Sequence, residues 1–147
     1  MVTVALMLVL APSSEPLPLI PYPRMVERRS GTLSLPSDLT VGTVPEFRKQ
    51  AELFVRTLNG QALRAKIRGE QGTISFLRDP GMGKEEYSLE VDGTRATIRA
   101  ATPAGAFYGA QTLGQLVQNQ KVPGLKIVDE PRFPWRGLHL DVSRHFF

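Results

Sequence analysis

Two stretches of this chain carry apolar residues at helical spacing, and short alternating runs lie around them. Phe47, Ala51, Phe54, Val55 and Leu58 form one stripe, which predicts an amphipathic helix. Thr43-Val44-Pro45-Glu46 reads as its opening, a capping box with proline near the first turn. Asn59-Gly60 reads as its close, with glycine supplying a left-handed residue. Ala106, Phe107, Ala110, Leu113, Leu116 and Val117 form a second stripe, predicting a helix from Thr102-Pro103 to about Asn119. Gly105, Gly109 and Gly114 each cost about 1 kcal/mol inside a helix, and their spacing suits close approach of another backbone.

Strands are read where apolar and polar residues alternate. Leu33 and Leu35, then Leu39 and Val41, flank Pro36-Ser37, and Leu63, Ala65, Ile67, Ile74 and Phe76 continue the pattern. Tyr87–Val91 and Thr94–Ala100 flank Asp92-Gly93, a dipeptide suited to a two-residue hairpin turn with positive φ. That register sets Leu89 opposite Ala96 and Tyr87 opposite Ile98 on one face. It sends Glu90, Arg95, Thr97 and Arg99 to the wet face. A strand-like Leu125–Val128 follows, then Pro131 and Pro134, then a strand over Arg136–Val142. The expected core is α+β: an antiparallel sheet of about four strands with two helices on one face.

Composition narrows the chemistry. The 147 residues cannot hold a (β/α)₈ barrel of roughly 250 residues. With 41% hydrophobic and 22% charged residues, the chain reads as an ordinary globular one. Having no cysteine, it has no disulfide, thiolate metal site or cysteine nucleophile. Its two histidines, His139 and His145, leave a multi-histidine metal site without ligands, so no metal and no cofactor are expected. The net charge of +4 is modest, and Glu85, Glu86 and Glu90 interleave with the basic residues, so a nucleic-acid partner is not expected.

Both ends are unusual. Met1–Leu10 is uncharged and followed by Ala11-Pro12-Ser13-Ser14. It is too short for a membrane span and fits the apolar core of an export signal over residues 1–14, although the usual basic start is missing. The expected location is therefore secreted or periplasmic; a buried N-terminal strand is the alternative. Five prolines over residues 12–23 make the entry extended. At the other end, Phe146-Phe147 follows an alternating stretch without turn or cap, an apolar surface that needs cover.

Candidate chemistry is sparse. Gly81-Met82-Gly83-Lys84 lacks the spacing of a phosphate loop and precedes a strand, so a connecting loop is expected. Asp129-Glu130 are adjacent carboxylates, but neighbours on a strand face opposite ways, and a solvated junction before Pro131 is expected. Arg132, Arg136, Arg144, His139, His145 and Asp141 crowd the last sixteen residues or so. Read from residues alone, they are an ion-pair cluster as readily as a site. Asp141, Ser143 and His145 lie too close in sequence to converge readily as a triad, and nothing marks a nucleophile elbow.

At these residues a resemblance emerges. Asp129-Glu130-Pro131-Arg132-Phe133-Pro134-Trp135-Arg136-Gly137, with Leu140–Phe146, resembles the entry into the catalytic barrel of family 20 β-N-acetylhexosaminidases. Thr102–Leu116 resembles the second helix of the α+β domain before that barrel, and Leu19–Pro23 and the Tyr87–Ala100 hairpin also fit that domain. The resemblance implies domain bounds of 15–128 for the α+β domain and 129–147 for the junction and first barrel strand. It implies release of terminal β-linked GlcNAc or GalNAc with retention, the substrate's own 2-acetamido group attacking the anomeric carbon. An Asp-Glu pair serves that reaction from the end of the fourth barrel strand, so Asp129-Glu130 is not it. Arg136 matches an arginine that grips hydroxyls of the terminal sugar, and Asp141 and Arg144 match supporting positions. In a regular strand Arg136 and Asp141, five apart, face opposite sides.

The implied partners are glycans ending in N-acetylhexosamine, bound by a longer parent protein, with no stable membrane span. The chain alone lacks the catalytic pair and is expected to be inactive. The other reading is a stand-alone module that binds carbohydrate or protein without catalysis.

Overall fold

In the computed structural model, residues 16–61 and 63–139 are described. The expected export segment and Asp141, Ser143, Arg144, His145, Phe146 and Phe147 lie outside them. The elements are β1 (Met25–Ser34), β2 (Thr40–Thr43), a 3₁₀ turn (Pro45–Phe47), α1 (Arg48–Asn59), β3 (Lys66–Ile67), β4 (Ile74–Arg78), β5 (Tyr87–Val91), β6 (Ala96–Ala100), α2 (Pro103–Leu116) and β7 (Lys121–Asp129). The class is α+β, as expected, with two helices against one sheet.

The sheet is larger than the expected four strands and is mixed rather than antiparallel. Its seven strands run in the order β1-β7-β5-β6-β4-β2-β3. β1, β7, β5 and β6 pair antiparallel in sequence, whereas β6, β4, β2 and β3 pair in parallel. The parallel half arises because α1 carries the chain from β2 back to β3 and β4, a crossover that parallel pairing requires. Alternation along each strand says which face is buried and nothing about its neighbour.

The β5–β6 hairpin keeps its predicted faces but not its predicted register. Leu89 pairs with Ile98, Tyr87 with Ala100 and Val91 with Ala96. The shift is two residues, and side chains alternate with period two, so Tyr87, Leu89, Ala96 and Ile98 still share the buried face. The connection spans Asp92–Arg95 because Asp92 organises it. Its Oδ1 accepts from Thr94 N at 2.7 Å, Thr94 Oγ1 at 2.6 Å and Arg95 N at 2.9 Å. Gly93 is not among the positive-φ residues. A tight turn with two positive φ values sits elsewhere, at Asn119 (50°) and Gln120 (59°), where Gln118 and Lys121 exchange both backbone hydrogen bonds. That turn is why α2 ends at Leu116 instead of reaching Asn119.

The helix starts also divide. Thr102 caps α2 as expected, its Oγ1 accepting from Gly105 N at 3.4 Å. Thr43 does not cap α1. It is the last residue of β2 and its hydroxyl donates to Val44 O at 2.9 Å, so a 3₁₀ turn intervenes. Gly60 at the far end has φ −67°, right-handed rather than left-handed. The loop there is held by Asn59 instead, whose Oδ1 accepts from Ala65 N at 2.7 Å.

Both helices cover one face of the sheet, α1 against β2 and β3, α2 against β5 and β6, and they touch each other. Phe54 meets Phe76 edge-on with ring centroids 5.8 Å apart, a favoured aromatic geometry. α2 lies close because it lacks Cβ atoms where it crosses the hairpin. A Cβ on Gly105 would sit 2.3 Å from Glu86 O, and one on Gly109 would sit 2.7 Å from Ile98 Cγ2. Gly114 faces Phe54 Cε2 at 3.9 Å, an ordinary contact. The expectation of close approach by another backbone thus holds for Gly105, gives way to packing on the Ile98 and Tyr87 side chains at Gly109, and fails at Gly114.

Residues 16–24 run irregularly, bury Leu17 and Leu19, and donate Ile20 N to Gln115 Oε1 on α2 at 2.9 Å. Of the strand expected over Arg136–Val142, the described part, residues 136–139, is not a strand. A strand needs a ladder partner, and no described residue pairs with it.

Candidate functional site

The chemistry-bearing residues singled out from sequence fall into three places. The first is the end of β7. Asp129 Oδ1 accepts from Arg24 N at 3.0 Å, and its Oδ2 accepts from Tyr87 OH at 3.3 Å. Glu130 pairs with the Arg24 guanidinium. The adjacent carboxylates therefore hold the start of β1 beside the end of β7, each engaged with Arg24. Tyr87 is buried, and its hydroxyl also meets Thr112 Oγ1 at 2.6 Å. Burial pushes the Tyr87 phenol well up from its ordinary value. The bond to Thr112 opposes this and the Asp129 charge adds to it.

The second place is the loop between β4 and β5. Its amides are satisfied internally: Gly81 N donates to Asp79 Oδ1 at 3.1 Å and Gly83 N to Glu86 Oε2 at 2.7 Å. A carboxylate sits where a phosphate would have to sit, so the connecting-loop reading of Gly81–Lys84 is the right one. Thr102 Oγ1 donates to Lys84 O, which pins this loop to the start of α2.

The third place is built around Arg136. Its Nη2 donates to Glu85 Oε1 at 2.6 Å and to Tyr108 OH at 3.1 Å, and its Nη1 donates to Phe133 O. Tyr108 OH in turn donates to Glu85 Oε1 at 3.2 Å, and the guanidinium carbon stands 5.9 Å from the Tyr108 ring centroid, within cation–π range. The hydrogen bond from Arg136 holds the Glu85 carboxyl below its ordinary value, and Tyr108 and the charges of Arg136 and Lys84 add to this. The same bond to Glu85, then that to Tyr108, raises Arg136. Glu85 and Tyr108 were not candidates on sequence grounds. Glu85 lies 51 residues from Arg136, and no local pattern joins them. Around this cluster Phe133, Trp135 and Leu138 are exposed.

The structure brings Arg136 to the α+β domain, while the other two expected site residues, Asp141 and Arg144, lie outside the described residues. Among the described residues, no group of three or more His, Asp or Glu side chains could hold a metal ion. No described helix is long and apolar enough to cross a membrane.

Comparison with known proteins places this architecture. The family model for glycosyl hydrolase family 20, domain 2, matches residues 17–130. The chain belongs to glycosyl hydrolase family 20. A β-N-acetylhexosaminidase of Cellulomonas fimi is 34% identical over 145 residues, covering 87% of this chain and 29% of that protein. The β-hexosaminidase subunit beta of Sus scrofa is 42% identical over 91 residues, covering 58% of this chain and 16% of that protein. Among solved structures, the Streptomyces plicatus N-acetyl-β-hexosaminidase in complex with Thio-NAglucal superposes with a TM-score of 0.77 at 32% identity, covering 90% of this chain and 30% of that one. The family 20 exo-β-N-acetylglucosaminidase of Vibrio harveyi shares the fold, with a TM-score of 0.81 at 24% identity over 89% of this chain and 22% of that one. The chain thus spans less than a third of the length of these relatives.

Proposed function

We propose that this chain is the domain 2 part, with the entry to the catalytic barrel, of an exported β-N-acetylhexosaminidase. The longer protein would release terminal β-linked GlcNAc or GalNAc from glycans, with retention and with the substrate's acetamido group as nucleophile. One observation carries this reading: a family 20 domain 2 match over residues 17–130, in a chain covering only 29% of its Cellulomonas fimi relative. The resemblance assigns the catalytic Asp-Glu pair to the remainder, and the ties of Asp129 and Glu130 to Arg24 support that reading. Arg136, Asp141 and Arg144 are assigned to the sugar side of the barrel entry, Arg136 toward hydroxyls and the other two in support. Three of the five guanidinium N–H groups of Arg136 are engaged by Glu85, Tyr108 and Phe133, which leaves two for a sugar.

The direct test is hydrolysis of p-nitrophenyl-β-GlcNAc. The purified 147-residue chain gives no turnover on this reading, and turnover by it alone would overturn the assignment. The DNA following the Phe147 codon is expected to continue in frame into a barrel with an Asp-Glu pair. In that longer protein, Arg136→Ala should lower kcat/KM by about 10- to 100-fold, the size of one lost charged hydrogen bond.

A further inference from the structure

α1 closes on Asn59-Gly60, and asparagine before glycine is the dipeptide whose backbone reacts most readily with its own side chain. Gly60 N attacks Asn59 Cγ and a five-membered ring forms. The Cγ–Nδ2 bond breaks, and ammonia leaves with the proton from Gly60 N. Water then opens the ring at either carbonyl, giving aspartate or isoaspartate. Glycine permits the attack because it has no side chain to crowd the nitrogen. Asn59 is exposed, so water reaches it.

Three features of the fold oppose that reaction. The attacking nitrogen is engaged, because Gly60 N donates to Arg56 O at 3.1 Å and continues the helix ladder. The leaving amide is held: Asn59 Oδ1 accepts from Ala65 N at 2.7 Å, and its Nδ2 donates to Ala65 O at 3.4 Å. The backbone is also turned the wrong way, since Asn59 is helical and Gly60 follows it at φ −67° and ψ −16°. Ring closure needs the next nitrogen swung round beside Cγ, which helical dihedral angles do not allow.

The same contacts close an edge of the sheet. β3 is the last strand on its side. Arg64 N, Lys66 N and Arg68 N turn inward to Ser37 O, Leu39 O and Val41 O, so by alternation Ala65 turns its N–H and C=O outward. The Asn59 amide meets both, as a peptide group of a neighbouring strand would. Unpaired groups on a sheet edge invite other chains, and here a side chain covers them.

We propose that Asn59 is a latent deamidation site, which the fold holds unreacted until the end of α1 and the β3 edge come apart. The product then keeps them apart. A carboxylate at residue 59 has no N–H for Ala65 O, and it puts a negative charge at the negative end of the helix. The change runs one way, so a modified chain records that its edge has opened. It concerns the domain itself and is independent of the activity assigned above.

The sequence supplies an internal reference. The other asparagine, Asn119, precedes Gln120, whose side chain crowds the attack. Trypsin frees residue 59 in a peptide running from Thr57 to Arg64. The 147-residue chain is incubated in mildly alkaline buffer with and without denaturing urea, and that peptide is followed by mass spectrometry against an aliquot digested at the start. Deamidation at residue 59 should run about tenfold faster or more in urea, since even the end of a helix must open locally in the native state. Residue 119 should lag behind it in urea, and Gly60→Ala should slow the urea reaction at residue 59. Equal rates at residue 59 with and without urea would overturn the proposal, and so would a residue 119 that reacts as fast in urea. Asn59→Asp carries the product from the start, and its urea midpoint should fall below that of the wild type. A midpoint at or above the wild-type value would mean that the modified edge still closes, and the one-way step would be wrong.

Discussion

Gly105→Ala tests the close seating of α2 on the hairpin, because the added carbon meets backbone. The ideal Cβ would stand 2.3 Å from Glu86 O and 3.1 Å from Ala100 Cβ. No rotamer relieves a clash with a carbonyl oxygen, so the first turn of α2 must lift or the β4–β5 loop must move. Overpacking of this kind costs about 1–3 kcal/mol. The gain from replacing glycine by alanine, at most about 1 kcal/mol in a helix interior, is smaller at Gly105, three residues into the helix. A net loss of about 2 kcal/mol follows, or a melting temperature lower by roughly 10 °C for a domain of this size. Gly114→Ala is the matched control. Its Cβ would meet Phe54 Cε2 at 3.9 Å, so the helix gain is unopposed, and about 0.5–1 kcal/mol of stabilisation is expected. Thermal and urea unfolding of the two variants beside the wild type give both signs in one experiment. If Gly105→Ala unfolds at or above the wild-type midpoint, or the two variants shift in the same direction, the reasoning about close approach is wrong.

Three further outcomes are expected. Tyr87→Phe removes the buried hydroxyl that meets Thr112 at 2.6 Å and Asp129 at 3.3 Å, and leaves Thr112 without that partner. It should cost about 1–2 kcal/mol in urea unfolding, and adding Thr112→Val should recover part of it. Asn59→Ala deletes the side chain bonded to Ala65 N at 2.7 Å and Ala65 O at 3.4 Å, with about 1 kcal/mol lost in the same assay. Acid should weaken the fold through Asp92 and Glu85. Bonds from Thr94 and Arg95 lower Asp92 from its ordinary 3.8, and those from Arg136 and Tyr108 lower Glu85 from 4.5. Groups lowered in the folded state contribute stability that is fully present above their unfolded values and is lost as pH falls through the folded ones. The urea midpoint should therefore drop below about pH 4, and Asp92→Asn with Glu85→Gln should flatten that limb; an unaltered acid limb in the double variant would count against both networks.

What the sequence makes legible follows from the range of each interaction. Alternation in Tyr87–Val91 and Ala96–Ala100 identifies the buried face even though the register is displaced by two, because parity survives an even shift. The stripes of α1 and α2 and the Thr102 cap are set within a few residues, and they appear where expected, except that Phe107 of the second stripe is exposed and Val117 lies just past the helix. Strand partners are a different matter. β4 lies between β2 and β6 through contacts that span 20 residues or more, and no local pattern in Ile74–Arg78 names those neighbours. The Thr43 cap failed for a related reason. Thr43 N is bound to Gly69 O, so the residue belongs to the sheet, and tertiary pairing overrides a local helix signal.

The candidate site divides along the same line. Adjacent carboxylates, a glycine-rich loop and an arginine at a family position are all visible in sequence, but what each can do depends on what already occupies it. Asp129 and Glu130 hold Arg24 and Tyr87, and the Gly83 amide holds Glu86. These partners lie up to 106 residues away along the chain, and each removes a chemical role that spacing alone had left open. Arg136 is the instructive case. Its resemblance to a family position implies contact with sugar, while the structure bonds it to Glu85 and Tyr108 of the α+β domain. Those two partners lie 51 and 28 residues from it along the chain, a distance over which no local pattern in the motif around Arg136 could have named them.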